Sequence, residues 1–194
     1  MTEKLPYPAE LVQGWTLRDG THVAIRPIRP EDRQIEKDFV RSLSDESRYF
    51  RFFNAIRELS EAALTRFTQI DFDKEMALIA VIRENRRETE IGVARYSTNP
   101  DGRSCEFAIA IADAWQRKGI GSKLMRSLMD AARSRGLETM EGLVLSGNSR
   151  MLALMNDLGF AIDATAGDPT LRHGVKNLAP RAASAGTAEN RETT

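Results

Sequence analysis

The stretch Glu106-Phe-Ala-Ile-Ala-Ile-Ala-Asp-Ala-Trp-Gln-Arg-Lys-Gly-Ile-Gly-Ser122 decides the fold of this 194-residue chain. Its first part reads as a strand that ends at Ile111, a short loop with two glycines follows, and a helix is predicted from Gly119 to Arg135. A strand that passes through a loop into a helix directs several free backbone N–H groups and the positive helix end at one point. Such a point suits a phosphate, and Gly119 and Gly121 let the backbone approach a ligand closely.

Only one of the phosphate loops considered fits the spacing of these glycines. A Rossmann loop needs a third glycine where Leu124 stands, and the Walker pattern G-x-x-x-x-G-K-S/T does not occur. The hexapeptide Gln116-Arg117-Lys118-Gly119-Ile120-Gly121 instead resembles the Gln/Arg-x-x-Gly-x-Gly/Ala pyrophosphate loop of GNAT acyltransferases. On the hexapeptide alone, glycines with a purely structural role remain an alternative. The strand before the loop and the parallel crossover predicted after it favour the GNAT loop.

The resemblance continues downstream and covers residues 22–163. Val144 to Asn148 is similar to the strand and asparagine that close the CoA site of GNAT enzymes, and Met151 to Phe160 to the helix that ends in Leu-Gly-Phe. The resemblance implies an α/β (α+β) fold in which helices flank a central mixed, mostly antiparallel sheet with splayed strands. We therefore expect a lead-in segment over 1–20, one GNAT domain over 21–178 and a disordered tail over 179–194, which is rich in Ala, Ser, Thr and Glu.

Acetyl-CoA is the co-substrate that the resemblance implies, and its contacts are assigned by position. Backbone groups of Ile109, Ala110 and Ile111 would hold the pantetheine arm and the acetyl carbonyl. Asn148 would touch the CoA arm, or it would only cap the helix that follows. Six consecutive backbone amides would hold the pyrophosphate, those of Arg117, Lys118, Gly119, Ile120, Gly121 and Ser122.

A narrower resemblance involves five further motifs. Together they are similar to the acetyltransferase domain of bacterial protein lysine acetyltransferases, which is often fused to an acyl-CoA-synthetase-like region. The 194 residues contain no such region, so the prediction is a stand-alone domain. The motifs are Tyr7-Pro8, Leu17-Arg18-Asp19-Gly20, Ile25-Arg26-Pro27-Ile28-Arg29-Pro30-Glu31-Asp32, Ser47-Arg48-Tyr49-Phe50-Arg51-Phe52-Phe53 and Thr68-Gln69-Ile70-Asp71-Phe72-Asp73.

Glu106 is the candidate general base. An amine attacks a thioester only when it is neutral, whereas a free lysine has a pKa of about 10.4. Strand alternation places Glu106 on one face with Ala108 and Ala110, whose small side chains leave room for a substrate. The protein lysine acetyltransferases carry a catalytic glutamate at the matching position. The alternative is a solvated strand glutamate without a catalytic role.

No residue is assigned as general acid. Many GNAT enzymes use a tyrosine seven residues after the asparagine, and here that position is Met155. Cys105 is expected to point away from Glu106, which argues against an acyl-cysteine route. His22 and His173 lack the spacing of metal ligands, so no metal is predicted.

Composition limits the partners and the compartment. The 28 basic and 28 acidic side chains cancel, so no net field favours a nucleic acid or an anionic membrane. A single cysteine excludes an internal disulfide and fits a reducing compartment. No run approaches the roughly 20 apolar residues of a membrane span. We expect a cytoplasmic protein, monomeric or homodimeric.

The predicted helices and strands fall into groups, with three helices followed by three strands in the first part of the chain. Residues 1–20 are expected to be irregular, and the signal weakens beyond Ala164. Helices are predicted over Pro30 to Leu43, Ser44 to Phe53, Ser60 to Gln69 and Ser149 to Leu158; strands are predicted over His22 to Ile28, Met76 to Arg83, Glu90 to Ser97, Ser104 to Ile111, Thr139 to Leu145 and Arg172 to Leu178.

Three functions remain open at this level. The first is a protein lysine Nε-acetyltransferase that binds acetyl-CoA and its target together, with Glu106 as base. The second is an acetyltransferase for a small amine such as a polyamine, an amino acid or an antibiotic. The third is a non-catalytic module that binds acyl-CoA. An open acceptor cleft would favour a protein, and a closed acidic pocket would favour a small amine.

Overall fold

The described residues fold around one eight-stranded sheet. The computed structural model describes residues 5–53 and 58–178. The strands are β1 (Gln13–Thr16), β2 (His22–Pro27), β3 (Glu75–Glu84), β4 (Arg87–Thr98), β5 (Ser104–Ile111), β6 (Thr139–Leu145), β7 (Ala161–Thr165) and β8 (Asp168–Asn177).

The strands lie in the order β1-β2-β3-β4-β5-β6-β8-β7. All neighbours are antiparallel except β5 and β6, which are parallel. A parallel pair needs a crossover, and the helix between the two strands supplies it. The mixed, mostly antiparallel sheet and its parallel crossover are therefore confirmed.

Among the described residues, five α-helices flank the sheet. Ser44 and Ser60 precede two of them and cap them, because each serine side chain accepts a hydrogen bond from the backbone N–H three residues later. No helix in the described ranges is long and apolar enough to span a bilayer. The helices are α1 (Arg33–Ser42), α2 (Asp45–Phe52), α3 (Glu61–Thr68), α4 (Ile120–Ser134) and α5 (Ser149–Asp157).

The helices cover opposite faces of the sheet. The predicted apolar face of α4, which includes Leu124 and Leu128, is buried against β3, β4 and β5. On the other face, Arg95 of β4 reaches Glu36 of α1 and the ring of Phe67 of α3. The second face therefore carries charged groups, whereas the first is an apolar core.

Sequence and structure disagree at both ends of the sheet. Residues 13–16, which were expected to be irregular, form β1 and pair with β2 through Trp15 opposite Val23. Strand β7 was not predicted, and β8 begins at Asp168 rather than Arg172. The β7–β8 hairpin lacks an alternating apolar pattern because most of its side chains are exposed or only partly buried. The predicted tail over 179–194 lies outside the described residues.

A buried carboxyl group lies between α1 and β4. Glu90 is only 3 % exposed, and neither of its side-chain oxygens has a hydrogen-bond partner among the described residues. Burial raises the pKa of Glu90 well above its ordinary value, and the nearby carboxyls of Glu36 and Asp32 raise it further. Glu90 is therefore a proton-binding group in the interior.

Replacing Glu90 by glutamine should raise the free energy of unfolding near pH 9 by about 1–3 kcal/mol, because a buried unpaired charge is removed. The folded protein binds this proton more tightly than the unfolded chain does. The stability that Glu90 contributes is thus complete at low pH and is lost as the pH rises through the raised pKa. Urea unfolding between about pH 5 and pH 9 measures the effect, and the variant and the native protein should converge at the acid end.

The exposed Glu84 provides the matched control for this measurement. Glu84→Gln should stay within about 0.5 kcal/mol of the native protein at every pH. Parallel stability curves for Glu90→Gln and the native protein would show that Glu90 does not titrate as a buried group.

Candidate functional site

Strands β5 and β6 separate after three residue pairs. The last pair is Glu106 opposite Glu141, although both strands continue beyond it. A Cβ atom placed on Gly142 would lie 2.7 Å from the ring of Phe107, so the ring occupies the space that a larger residue would need. The ring also packs on Phe160, with centroids 5.3 Å apart. Phe107 thus acts as a wedge where the strands part.

The gap exposes backbone groups of β5. The Ala112 N–H donates to the Ile91 carbonyl of β4 at 2.9 Å, so the even-numbered residues of β5 bond to β4 and the odd-numbered ones face the gap. Ile109 and Ile111 therefore direct their N–H and C=O groups away from β4, and the Ile111 carbonyl accepts a hydrogen bond from Gln116. The main chain of Ala110 is directed at β4, which corrects the expectation that its backbone would hold a ligand.

The glycine loop presents a row of free amides. Gly119 has a φ of 83° and directly precedes α4, and Arg117 has a φ of 59°. The first helical hydrogen bond runs from the Lys123 N–H to the Gly119 carbonyl at 3.1 Å. Within the described residues, no acceptor bonds the amides of 117–122, which leaves them available together with the positive end of the helix.

These amides open onto a cleft of about 390 Å³ between the loop, α2 and α5, which we name the loop cleft. The side chains of Lys118 and Ile120 do not line it. Lys118 pairs with Asp19 at 3.1 Å and lies over the Trp115 ring, and Ile120 is buried in the core. The residues that line the loop cleft are Ser47, Phe50, Arg51, Ile109, Ala110, Ile111, Gln116, Arg117, Gly119, Gly121, Ser122, Asn148, Arg150, Met151, Ala153, Leu154 and Asp157.

Gln116 holds three walls of the loop cleft together. Its Nε2 donates to the Ile111 carbonyl at 3.1 Å and to Ser47 Oγ of α2 at 3.3 Å. Its Oε1 accepts a hydrogen bond from Arg150 of α5 at 2.9 Å. The sequence motif includes Gln116, but nothing in the sequence indicated these two partners, which lie 69 and 34 residues away.

Asp113 fastens the start of α2 to the loop. Its carboxylate accepts hydrogen bonds from the Ser44 N–H at 2.9 Å and from the hydroxyls of Ser44 and Ser47, both at 2.8 Å. Partial burial alone would raise the pKa of Asp113, but these hydrogen bonds outweigh it and hold the pKa below its ordinary value. The short helix α2 thereby becomes a wall of the cleft, which the sequence did not predict.

Asn148 serves as the N-cap of α5. Its Oδ1 accepts a hydrogen bond from the Met151 N–H at 3.1 Å. It also lies at the junction of the loop cleft and a second cleft. The capping alternative is therefore observed, and its amide nitrogen remains at the cleft wall.

The second cleft, of about 430 Å³, contains Glu106 and is named the Glu106 cleft. It meets the loop cleft at Phe50, Arg51, Ile109, Asn148 and Met151. No described residue hydrogen-bonds the exposed Glu106 carboxylate. The residues lining the Glu106 cleft are Phe50, Arg51, Phe52, Phe53, Arg66, Phe67, Ile70, Glu75, Met76, Ala77, Arg95, Tyr96, Ser97, Glu106, Phe107, Ala108, Ile109, Leu143, Val144, Asn148 and Met151.

Two residues near Glu106 are unsuited to chemistry. Cys105 is fully buried on the opposite face, as predicted, and burial with the nearby Glu141 raises its pKa to about 12. Met155, at the position where many GNAT enzymes have a tyrosine, is also fully buried and packs against Gly174. Neither a thiolate nor an acid is therefore supplied from these positions.

The two histidines lie apart. His22 Nδ1 lies 2.9 Å from Thr16 Oγ1, and His173 Nε2 lies 2.8 Å from Glu141 Oε2. Within 5–53 and 58–178, no three His, Cys, Asp or Glu side chains are grouped so that they could hold a metal ion.

The known proteins to which this chain is similar are acetyltransferases. A family model described as an acetyltransferase (GNAT) domain matches residues 22–161. Acetyltransferase PA5475 of Pseudomonas aeruginosa is 40% identical over 145 residues, which cover 75% of this chain and 78% of that protein. Acetyltransferase Pat of Mycolicibacterium smegmatis is 28% identical over 144 residues, which cover 74% of this chain but only 42% of that protein.

A solved structure shares the same architecture. The GNAT domain of S. lividans PAT superimposes with a TM-score of 0.80 at 28% sequence identity. The superposition covers 89% of this chain and 99% of that domain.

Proposed function

The chain belongs to the GNAT acetyltransferase family, and on this premise we propose that it transfers the acetyl group of acetyl-CoA to a primary amine, with a protein lysine as the acceptor and Glu106 as the general base. The observation that carries the proposal is the row of free amides at 117–122, which opens onto a cleft beside splayed strands. Free amides at a helix start suit a diphosphate.

The chain's own residues fit an acyl-CoA. Acetyl-CoA supplies the acetyl group as a thioester, which is already activated toward an amine. The Ile109 N–H and C=O, which face the gap, are placed to hydrogen-bond an extended arm as a missing strand would. Arg117 and Arg150 add positive charge along the loop cleft, where phosphates would lie.

Glu106 is placed to take the proton of the acceptor ammonium. The neutral amine then attacks the thioester carbonyl and forms the amide bond while the carbon–sulfur bond breaks and a thiolate departs. The nitrogen gives up its second proton to solvent, through which the thiolate is protonated. Ala108, beside Glu106 on the same strand face, leaves space for the approaching amine. A thiolate is a tolerable leaving group because a thiol has a pKa of about 8.5, so solvent can reprotonate it without an acid at Met155.

A protein acceptor is supported by the rim of the Glu106 cleft. Phe53 and Leu143 line this cleft with 46% and 42% of their surface exposed, which provides apolar contacts for residues around a target lysine. The sequence likeness to protein lysine acetyltransferases favours the same acceptor. We place the activity in the cytoplasm, where a reduced Cys105 is expected.

Two measurements test the proposal. Calorimetry should detect acetyl-CoA and CoA binding to the purified protein, and radiolabelled acetyl-CoA with a lysate of the source cells should label protein bands. Label confined to the small-molecule fraction would replace the protein acceptor by a small amine. Binding without any transfer would favour a non-catalytic acyl-CoA module, and absence of binding would overturn the proposal altogether.

A further inference from the structure

The Glu106 cleft carries more positive than negative side chains. Three guanidinium groups line it, those of Arg51, Arg66 and Arg95, against the carboxylates of Glu75 and Glu106. A cleft that accepted a cationic amine alone would gain nothing from this surplus, because like charges repel the ligand. The excess of arginine therefore requires an explanation beyond the amine.

Two of the guanidinium groups lack a direct acidic contact within the described residues, although Glu36 acts electrostatically on Arg51 from a distance. No carboxylate in the described ranges forms an ion pair with Arg51 or Arg66. Arg51 lies over the ring of Phe52 at 4.9 Å, and Arg66 lies over the ring of Phe67 at 5.8 Å. Aromatic faces hold a guanidinium without using its N–H donors, so these donors stay free for a ligand.

Arg95 is only weakly satisfied. Its guanidinium also lies over the Phe67 ring, at 4.3 Å from the centroid. It donates long hydrogen bonds to Glu36 and to the Phe67 carbonyl, at 3.5 Å each. Its Nε is buried without a partner among the described residues.

The Arg51 guanidinium is charged at neutral pH. Burial and the neighbouring Arg95 lower the pKa of Arg51 only to about 10.

We propose that Arg51, Arg66 and Arg95 form an anion subsite that binds one carboxylate of the acceptor while its amine lies at Glu106. The inference rests on the proposed function and narrows its acceptor to an amine with a carboxylate nearby. A single guanidinium recognises a planar carboxylate through two parallel hydrogen bonds, and neighbouring guanidiniums add positive charge around it. A free amino acid offers that chemistry, and so does a peptide lysine beside an acidic residue.

Charge balance favours a single negative charge. Three guanidiniums against two carboxylates leave one net positive charge in the cleft, and Glu36 partly offsets Arg95. A monoanion neutralises this excess, whereas a dianionic phosphate would exceed it in a cleft that also contains Glu75 and Glu106. The subsite also lies at the junction with the loop cleft, since Arg51 lines both clefts.

Matched acceptors test the subsite. The rate of thiol release from acetyl-CoA is compared for amino acids and their carboxamides, and for lysine peptides with a neighbouring Glu or Gln. In the native protein the carboxylate member of a preferred pair should have a kcat/KM at least about 10-fold higher. A preference for amino acids over their carboxamides identifies a free amino acid as the source of the carboxylate. A preference for lysine peptides with a neighbouring Glu over those with Gln identifies an acidic peptide.

The variant Arg51→Gln/Arg66→Gln should reduce this preference to below about 3-fold, because the free donors are gone. The preference is the ratio of two kcat/KM values measured with the same acetyl-CoA. A change in acetyl-CoA affinity caused by replacing Arg51 affects both values equally and cancels. Arg126→Gln is the control, since Arg126 is exposed on α4 and lines neither cleft. Equal rates for all matched pairs, or a preference that survives the double substitution, would overturn the subsite.

A binding measurement separates this inference from the proposed function. The N-acetylated product keeps the carboxylate but has no amine to react, so its calorimetric titration needs no turnover. If no amine is acetylated, the proposed function fails. The subsite is still supported if the N-acetylated product binds the native protein and no longer binds Arg51→Gln/Arg66→Gln. Absence of product binding to the native protein, with and without CoA, overturns it.

Discussion

Glu106→Gln should lower kcat for acetyl transfer by about 10²- to 10⁴-fold, the contribution typical of a positioned general base. Glutamine keeps the size of the side chain but cannot take a proton from the acceptor ammonium. The carboxylate is exposed and has no hydrogen-bond partner among the described residues, so its loss should shift the free energy of unfolding by less than about 0.5 kcal/mol. Thiol release at saturating acetyl-CoA measures the rate.

The affinity for acetyl-CoA separates a base from a binding residue. Calorimetry of Glu106→Gln should give the native dissociation constant within about 2-fold, because the proposed function assigns cofactor binding to backbone amides rather than to this side chain. Glu84→Gln, an exposed strand glutamate outside both clefts, should keep native turnover. If Glu106→Gln keeps more than a tenth of the native activity, Glu106 is not the general base but a solvated strand residue.

Ser122→Glu should weaken acetyl-CoA binding by at least about 100-fold, since a carboxylate facing a diphosphate at 4 Å costs about 4 kcal/mol near a protein surface. Ser122 is the third residue of α4 and lines the loop cleft. A glutamate at this position can also reach back to the free amides of the helix start and occupy them. Both effects remove the site that the phosphates need.

The folded state of Ser122→Glu should be as stable as the native protein or slightly more stable, although its affinity for acetyl-CoA falls. An acidic side chain in the first turn of a helix stabilises it by about 0.3–1 kcal/mol, so thermal unfolding should occur at the native temperature or slightly above. Ser122→Gln matches the size without the charge and should lose far less affinity. Native affinity in a folded Ser122→Glu protein would place the diphosphate elsewhere than at 117–122.

Local sequence signals located the most regular elements. Strands β5 and β6 have the predicted bounds, and α4 differs from its prediction by one residue at each end. Gly136 and Gly159 follow α4 and α5 with φ values of 77° and 74°, which glycine adopts without strain. These features depend on residues close together in the chain, which is why pattern and turn chemistry suffice.

Other features were missed because their signals are weak or distant. Strand β1 has only four residues, and its place depends on pairing with β2. No local pattern brings the Arg51 and Arg66 side chains together with Arg95, because only the packing of α2, α3 and β4 places them in one cleft. The Lys118 side chain is directed away from the loop cleft because it pairs with Asp19, 99 residues away.

By itself the sequence determined the strand, the glycine loop and the helix that follow one another from Glu106 onward, because neighbouring residues set the backbone dihedrals there. Only the tertiary structure decided that β5 and β6 part after Glu106, that Gln116 and Asp113 bind α2 to the loop, and that the arginines share a cleft with Glu106. These arrangements arise from contacts between segments far apart in the chain. Their energies come from packing and hydrogen bonds that no local pattern records.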